Sequence, residues 1–154
     1  MRIRPAVAGD AAALADIDNS AFPDGWNADF YQDECGNPVA SLYVAEKAKE
    51  ILGFILFWST PPEAEMLRMT VAARHRNRGI AEKMLAETLE SLSGEGVRRV
   101  FLEVRRSNYT ARRLYKGRGF METGARPKYY RNPVEDAVCM EWDDINAGKN
   151  PGRS

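Results

Sequence analysis

The sequence predicts a single α/β domain built on a mixed sheet, parallel at its centre. Three observations predict it. The chain has 154 residues, about one domain at ~150 residues per domain, and a chain of that size buries roughly 68–70% of its unfolded surface without disulfide staples. Hydrophobic residues make up 44% and charged residues 29%, the balance of a folded protein and not of a disordered one. Strand-like and helix-like segments alternate through the middle of the chain, which argues for parallel pairing there with antiparallel pairs on either side.

Taken in order, Arg2 to Arg4 reads as a short strand. Asp10 is placed to cap a helix running to about Ser20, with Leu14, Ile17 and Ala21 spaced for one face. Phe22-Pro23-Asp24-Gly25-Trp26 breaks it, and Asn27 can cap a second, shorter helix carrying Phe30 and Tyr31. Ser41 to Glu46 and Ile51 to Trp58 flank a charged turn, a hairpin pattern that Pro61-Pro62 ends. Glu65 to Val71 is a further strand. Gly79 to Leu92 is the clearest helix, because Ile80, Met84, Leu85, Leu89 and Leu92 recur at three- and four-residue intervals, and Gly94 and Gly96 close it. Arg98 to Arg105 alternates, with Val100, Leu102 and Val104 on one face and Phe101, Glu103 and Arg105 on the other. Asn108 can cap a helix to about Gly117; Phe120 to Tyr130 and Asp136 to Trp142 read as a closing pair of strands. Residues 1–145 make the domain, and the stretch 146–154, which has no apolar anchor, reads as a flexible tail.

Composition excludes several classes. No apolar run reaches the ~18 residues of a membrane span, and Met1 to Pro5 lacks the apolar stretch of a signal peptide. Cys35 and Cys139 cannot make a disulfide framework and lack metal-ligand spacing; they are expected to pack. The lone histidine, His75, rules against a histidine-built metal site and is expected to be solvated between its arginines. A reducing cytoplasm and no bound metal are the expectation.

The formal net charge is zero, but the charges segregate. Residues 1–66 carry 4 Lys/Arg against 11 Asp/Glu, residues 67–131 carry 16 against 6, and residues 132–154 carry 2 against 5. An acidic first segment and a basic middle one suggest a cationic and an anionic partner. Nucleic acid fits less well, because no aromatic stacking motif accompanies the basic residues.

The strongest motif lies where a strand, Met69 to Val71, enters a basic loop and then a helix: Arg74-His75-Arg76-Asn77-Arg78-Gly79-Ile80-Ala81. Backbone N–H groups at a helix start bind anions, the helix dipole adds to the attraction, and small residues let a phosphate approach closely. The pattern is neither a Walker loop nor GxGxxG. Arg76-Asn77-Arg78-Gly79-Ile80-Ala81 resembles the Arg/Gln-x-x-Gly-x-Gly/Ala signature of the GNAT superfamily of N-acetyltransferases. That resemblance implies a mixed sheet with parallel strands around an acetyl-CoA site and helices on both faces. It implies that residues Arg76, Asn77, Arg78, Gly79, Ile80, Ala81 and Glu82 hold the pyrophosphate and that Met69, Thr70 and Val71 hydrogen-bond the acetyl and pantetheine part.

Downstream, Phe101-Leu102-Glu103-Val104-Arg105-Arg106-Ser107-Asn108, then Ala111 and Leu114 to Phe120, resembles the bacterial ribosomal-protein-alanine N-acetyltransferases. So do Ala21-Phe22-Pro23 with Trp26, and Tyr129-Tyr130 with Glu135-Asp136-Ala137. By that resemblance Glu103 is the general base, Tyr115 the general acid and Asn108 a cofactor contact, while Phe22, Trp26, Tyr129 and Tyr130 lie on the substrate side. The chemistry agrees. An amine must be neutral to attack a thioester, and at neutral pH roughly a tenth of an α-amine is neutral but under a thousandth of a lysine. A carboxylate can take the proton, and a tyrosine can supply one to the departing thiolate. Glu65 is a rival base, since the histone-acetylating branch of the superfamily looks to carry its glutamate at this place.

The expected activity is acetyl transfer from acetyl-CoA to a protein N-terminal amine, by the resemblance a ribosomal protein's, in the cytoplasm, with no direct nucleic-acid or membrane partner. The alternatives are the same fold acetylating a small-molecule amine or an internal lysine, or a CoA-binding module without turnover.

Overall fold

A computed structural model describes residues 1–144 of the chain; the expected tail, 146–154, lies outside the described residues. The elements are β1 (Arg2–Pro5), α1 (Ala11–Ala21), α2 (Ala28–Cys35), β2 (Ala40–Lys47), β3 (Glu50–Thr60), β4 (Glu63–Val71), α3 (Ile80–Gly94), β5 (Arg99–Arg105), α4 (Tyr109–Gly117), β6 (Met121–Tyr130) and β7 (Glu135–Asp143). The strands hydrogen-bond in the order β1-β2-β3-β4-β5-β7-β6. β4 and β5 are parallel, whereas β1–β2, β2–β3, β5–β7 and β6–β7 are antiparallel, so the α/β mixed sheet is observed. The chain forms two compact units, Met1–Ser59 with Met66–Ser91, and Thr60–Glu65 with Leu92 onward, and β4 runs through both.

In the first unit, β2 and β3 are joined by a two-residue turn, Ala48-Lys49, with φ of +52° and +66°. Positive φ at both positions matches the twist of the flanking strands. Leu42, Val44, Phe54 and Leu56 form one face, packed with Leu14 of α1 and Tyr31 of α2. The opposite face carries Gly53, against which Met84 of α3 packs, so helices cover both faces here. A Cβ at Gly53 would lie 2.7 Å from the Thr70 carbonyl oxygen and 3.2 Å from Val71 Cα, a backbone approach that only glycine permits.

Asn27 caps α2 as expected, its Oδ1 accepting from the Phe30 N–H. Asp10 does not cap α1 through its side chain. Its carboxylate turns back to accept from the Val7 N–H and from both terminal nitrogens of Arg4, which also pairs with Glu46. A bidentate guanidinium partner competes successfully with a cap worth about 1 kcal/mol.

In the second unit, Val100, Leu102 and Val104 are buried, leaving Phe101, Glu103 and Arg105 on the other face. The parallel register sets Glu65 beside Phe101, so Glu65 and Glu103 share that face. The end of α3 closes in a Schellman turn, with Val97 N–H donating to Leu92 and Gly96 N–H to Ser93. Asn108 caps α4, its Oδ1 accepting from the Ala111 N–H.

Candidate active site

The expected phosphate loop belongs to the first unit. Sequence periodicity places Gly79 in the first turn of α3, but Gly79 precedes the helix with φ of +77°, outside helical geometry, and α3 begins at Ile80. Asn77 also has positive φ, 63°. A Cβ at Gly79 would meet nothing within 4 Å. The glycine is therefore required by its backbone conformation, and the side of the loop where its Cβ would lie is open to an approaching anion. The first turn of α3 supplies N–H groups that helix geometry leaves without an intrahelical acceptor.

The arginines of the loop are engaged locally. Arg76 Nε donates to the Val71 carbonyl at 3.2 Å, and Arg74 pairs with Glu50. His75 is not solvated as expected: its side chain is only 14% exposed, with Nε2 3.4 Å from Glu50. Burial, then the charges of Arg74, Arg78 and Lys47, hold its pKa below the ordinary histidine value. On the strand entering the loop, the Thr70 hydroxyl is buried with no hydrogen-bond partner among the described residues. Glycine geometry, helix-start amides and an unpartnered hydroxyl on the preceding strand form a donor-rich, close-approach surface that suits a polyanionic nucleotide with a polar tail.

Phe22 and Trp26, also in the first unit, flank Arg68 of β4. Its guanidinium carbon sits 4.2 Å from the Phe22 ring centroid and 4.1 Å from that of Trp26. Arg68 Nη1 donates to Asp18 Oδ1 at 2.7 Å, and Asp18 Oδ2 accepts the Trp26 N–H at 2.7 Å.

The second unit brings Glu103, Tyr115, Tyr129 and Tyr130 together. Interaction with the neighbouring Glu103 carboxylate, then burial, raises the Tyr129 pKa. Burial raises Tyr130 further, helped by the Glu103 charge. Tyr115 is buried and packs on Phe120 with ring centroids 5.6 Å apart. Burial, then proximity to Tyr130, pushes its pKa well above the usual phenol value. Adjacent strand residues normally face opposite ways. Here an irregularity between Arg126 and Tyr130, with Lys128 at φ of +52°, lets both tyrosines approach Glu103. Glu65 lies on the same face and adds its charge to the surroundings of Tyr129.

Three residues take part without having been assigned a site role from the sequence. Arg126 Nε lies 3.1 Å from Glu103 Oε1. Register would have found it: Cys139 pairs with both Glu103 and Gly124, and Arg126 is two residues on. Arg105 and Glu135 fasten the start of α4 to the β6–β7 turn. Arg105 donates to the carbonyls of Arg131 and Pro133, and Glu135 accepts the Ser107 N–H at 2.6 Å. Asn108, expected to touch cofactor, spends its Oδ1 on the helix cap.

A model of the acetyltransferase (GNAT) family matches residues 11–120. The chain belongs to that family. Among curated GNAT relatives, a Bacillus subtilis protein provisionally named a ribosomal protein bS18-alanine N-acetyltransferase is 33% identical over 138 residues, covering 89% of this chain and 91% of that protein. N-alpha-acetyltransferase RimI of Mycobacterium tuberculosis is 32% identical over 140 residues, covering 87% of each. Of solved GNAT structures, the ribosomal-protein-S18-alanine N-acetyltransferase from Escherichia coli superposes with a TM-score of 0.85 at 25% identity, covering 97% of each chain. The resemblance read from the motifs is borne out, and the chain is an N-acetyltransferase of a family whose acetyl donor is acetyl-CoA. No cluster of three or more metal-ligating side chains occurs among the described residues.

Proposed function

We propose that this GNAT enzyme acetylates the N-terminal α-amine of a protein, with a ribosomal protein of the kind named for its relatives as the first candidate. Bound acetyl-CoA supplies an acetyl group activated as a thioester. Backbone amides of Arg76 to Glu82 and the strand Met69 to Val71 would hold it. Glu103 takes the proton of the attacking amine, directly or through a water, and Tyr115 gives a proton to the departing sulfur. Burial keeps the phenol neutral, so it carries its proton at working pH, and its ring packs on Phe120. Phe22, Trp26, Tyr129 and Tyr130 would line the peptide, and Asn108 Nδ2 would reach the cofactor while its Oδ1 caps α4. The acidic first segment favours encounter with a cationic peptide.

The observation that carries this reading is a half-buried Glu103 held 3.1 Å from Arg126 in the same unit as the buried Tyr115. A carboxylate and a buried phenol suit a direct transfer that needs a base and an acid. No described helix is long and apolar enough to cross a membrane, and the reading assigns the enzyme to the cytoplasm. The test is an acetyl-CoA turnover assay against N-terminal peptides varied at the first residue, alongside lysine peptides and polyamines, with mass spectrometry of the product. Acetylation confined to α-amines supports the reading. Preferential acetylation of lysine or polyamine replaces it, and binding of acetyl-CoA without turnover on any amine makes the chain a CoA-binding module.

A further inference from the structure

We propose that Arg68 is a positioning residue that holds the segment between α1 and α2 in its peptide-accepting shape before any peptide arrives. The proposal rests on the reading of Phe22 and Trp26 as substrate-side residues.

The segment from Phe22 to Asn27 lies in neither helix nor strand, and Pro23 and Asp24 are exposed. Its order comes from three grips on Trp26. Asp18, whose side chain is completely buried, accepts the Trp26 N–H through one oxygen and the Arg68 guanidinium through the other. Asn19 Nδ2 donates to the Trp26 carbonyl at 3.1 Å and to the Ala15 carbonyl at 2.8 Å. The guanidinium then stacks between the Trp26 and Phe22 rings. One carboxylate thus fixes both the backbone of Trp26 and the cation its indole rests on.

Only a planar, delocalised cation can offer two faces to aromatic rings and an edge to a carboxylate at once; a lysine ammonium keeps the charge but loses the geometry. Arg68 also immediately precedes Met69, where the stretch assigned to the acetyl and pantetheine part begins. A loop anchored there is set relative to that stretch without waiting for substrate. Preorganisation of this kind lowers the entropic cost of binding. It acts on peptide affinity and leaves the chemical step alone, a split that a purely structural Arg68 would not produce.

The experiment is steady-state peptide acetylation at saturating acetyl-CoA for Arg68→Lys and for the double variant Asp18→Asn with Arg68→Gln. The double variant removes both charges together, so no buried carboxylate is orphaned and the protein folds even if the single variant does not. Phe22→Leu and Trp26→Leu are measured beside them. The expected result is a peptide KM raised about tenfold in the Arg68 variants, the scale of desolvated cation–π contacts, with kcat within about threefold. Acetyl-CoA affinity stays unchanged, and the Trp26 indole N–H resonance, assigned by its absence in Trp26→Phe, broadens. If Phe22→Leu and Trp26→Leu raise KM while folded Arg68 variants do not, or if those variants lose kcat alone, the positioning role is wrong. If neither aromatic variant changes peptide KM, the substrate-side reading fails first and takes the proposal with it.

Discussion

The Nε of Arg126 lies 3.1 Å from the carboxylate of Glu103, with the arginine side chain 61% exposed and the glutamate 22%. The carboxylate is thus held beside a cation, and its charge reaches the neighbouring Tyr129. An arriving amine meets a base whose orientation is already set, and it must share that carboxylate with a guanidinium.

Replacing Glu103 by glutamine should lower kcat by about 10²–10⁴, the usual worth of a general base. Acetyl-CoA affinity should hold, because the residue lies outside the segments assigned to the nucleotide. The deficit should shrink as pH rises and the amine loses its proton unaided. Glu65→Gln should cost far less, since Glu103 has the tyrosine contacts and Glu65 is exposed at the strand start. A pH–rate series on both variants decides; reversed losses would move the base to Glu65.

Tyr115→Phe should lower kcat by about 10²-fold or more while leaving the melting temperature within a few degrees, because the ring keeps its packing on Phe120. Burial raises the phenol pKa in the folded enzyme, so the proton stays on through the ordinary tyrosine range. Activity of the parent enzyme should therefore show no decline near pH 10 from loss of this proton. A drop there that vanishes in Tyr115→Phe would keep Tyr115 as the acid but contradict the burial that raises its pKa.

Gly79→Val should weaken CoA binding at least about tenfold in calorimetry. The cause is the backbone: φ of +77° is costly for a β-branched residue, although the space beside the glycine is open. Arg76→Gln should matter less, since that side chain is occupied with the Val71 carbonyl. Binding of Gly79→Val equal to the parent would remove this loop as the phosphate site.

Acid stability should expose the Arg4 cluster. Hydrogen bonds from Arg4 hold the carboxyls of Asp10 and Glu46 below their ordinary values of 3.8 and 4.5. A depressed folded-state pKa contributes stability above the unfolded value and loses it as pH falls through the folded one. Urea midpoints should therefore fall progressively from about pH 4.5 downward, and the fall should be shallower in Arg4→Met, which removes the largest cause of both depressions. An equally steep fall in the variant would assign acid sensitivity elsewhere.

What could be read from the chain was mostly local. Asn27 and Asn108 are legible as caps because a cap and the N–H that donates to it lie within three residues. Glu103 was placed on the correct face by strand alternation alone. What escaped depended on partners distant in sequence. Asp10 looks like a cap until Arg4 and Glu46 arrive beside it. Arg68 looks like a solvated strand residue until Asp18 and two rings enclose it. Arg126 finds Glu103 only once the β6–β7 register is fixed, and no sequence rule announced the irregularity at Lys128.

That irregularity also bears on solubility. Among the described residues β6 is last in the strand order and exposed along nearly its whole length, the kind of border on which neighbouring molecules stack into aggregates. Its outer row of amides is interrupted by Pro127 and distorted at Lys128, with a lysine charge at the kink, and these are the devices by which sheets refuse to grow. The same distortion turns Tyr129 toward Glu103. Removing Lys128 to straighten the strand would therefore cost the enzyme twice, surrendering a substrate-side tyrosine and creating an adhesive border in a single step.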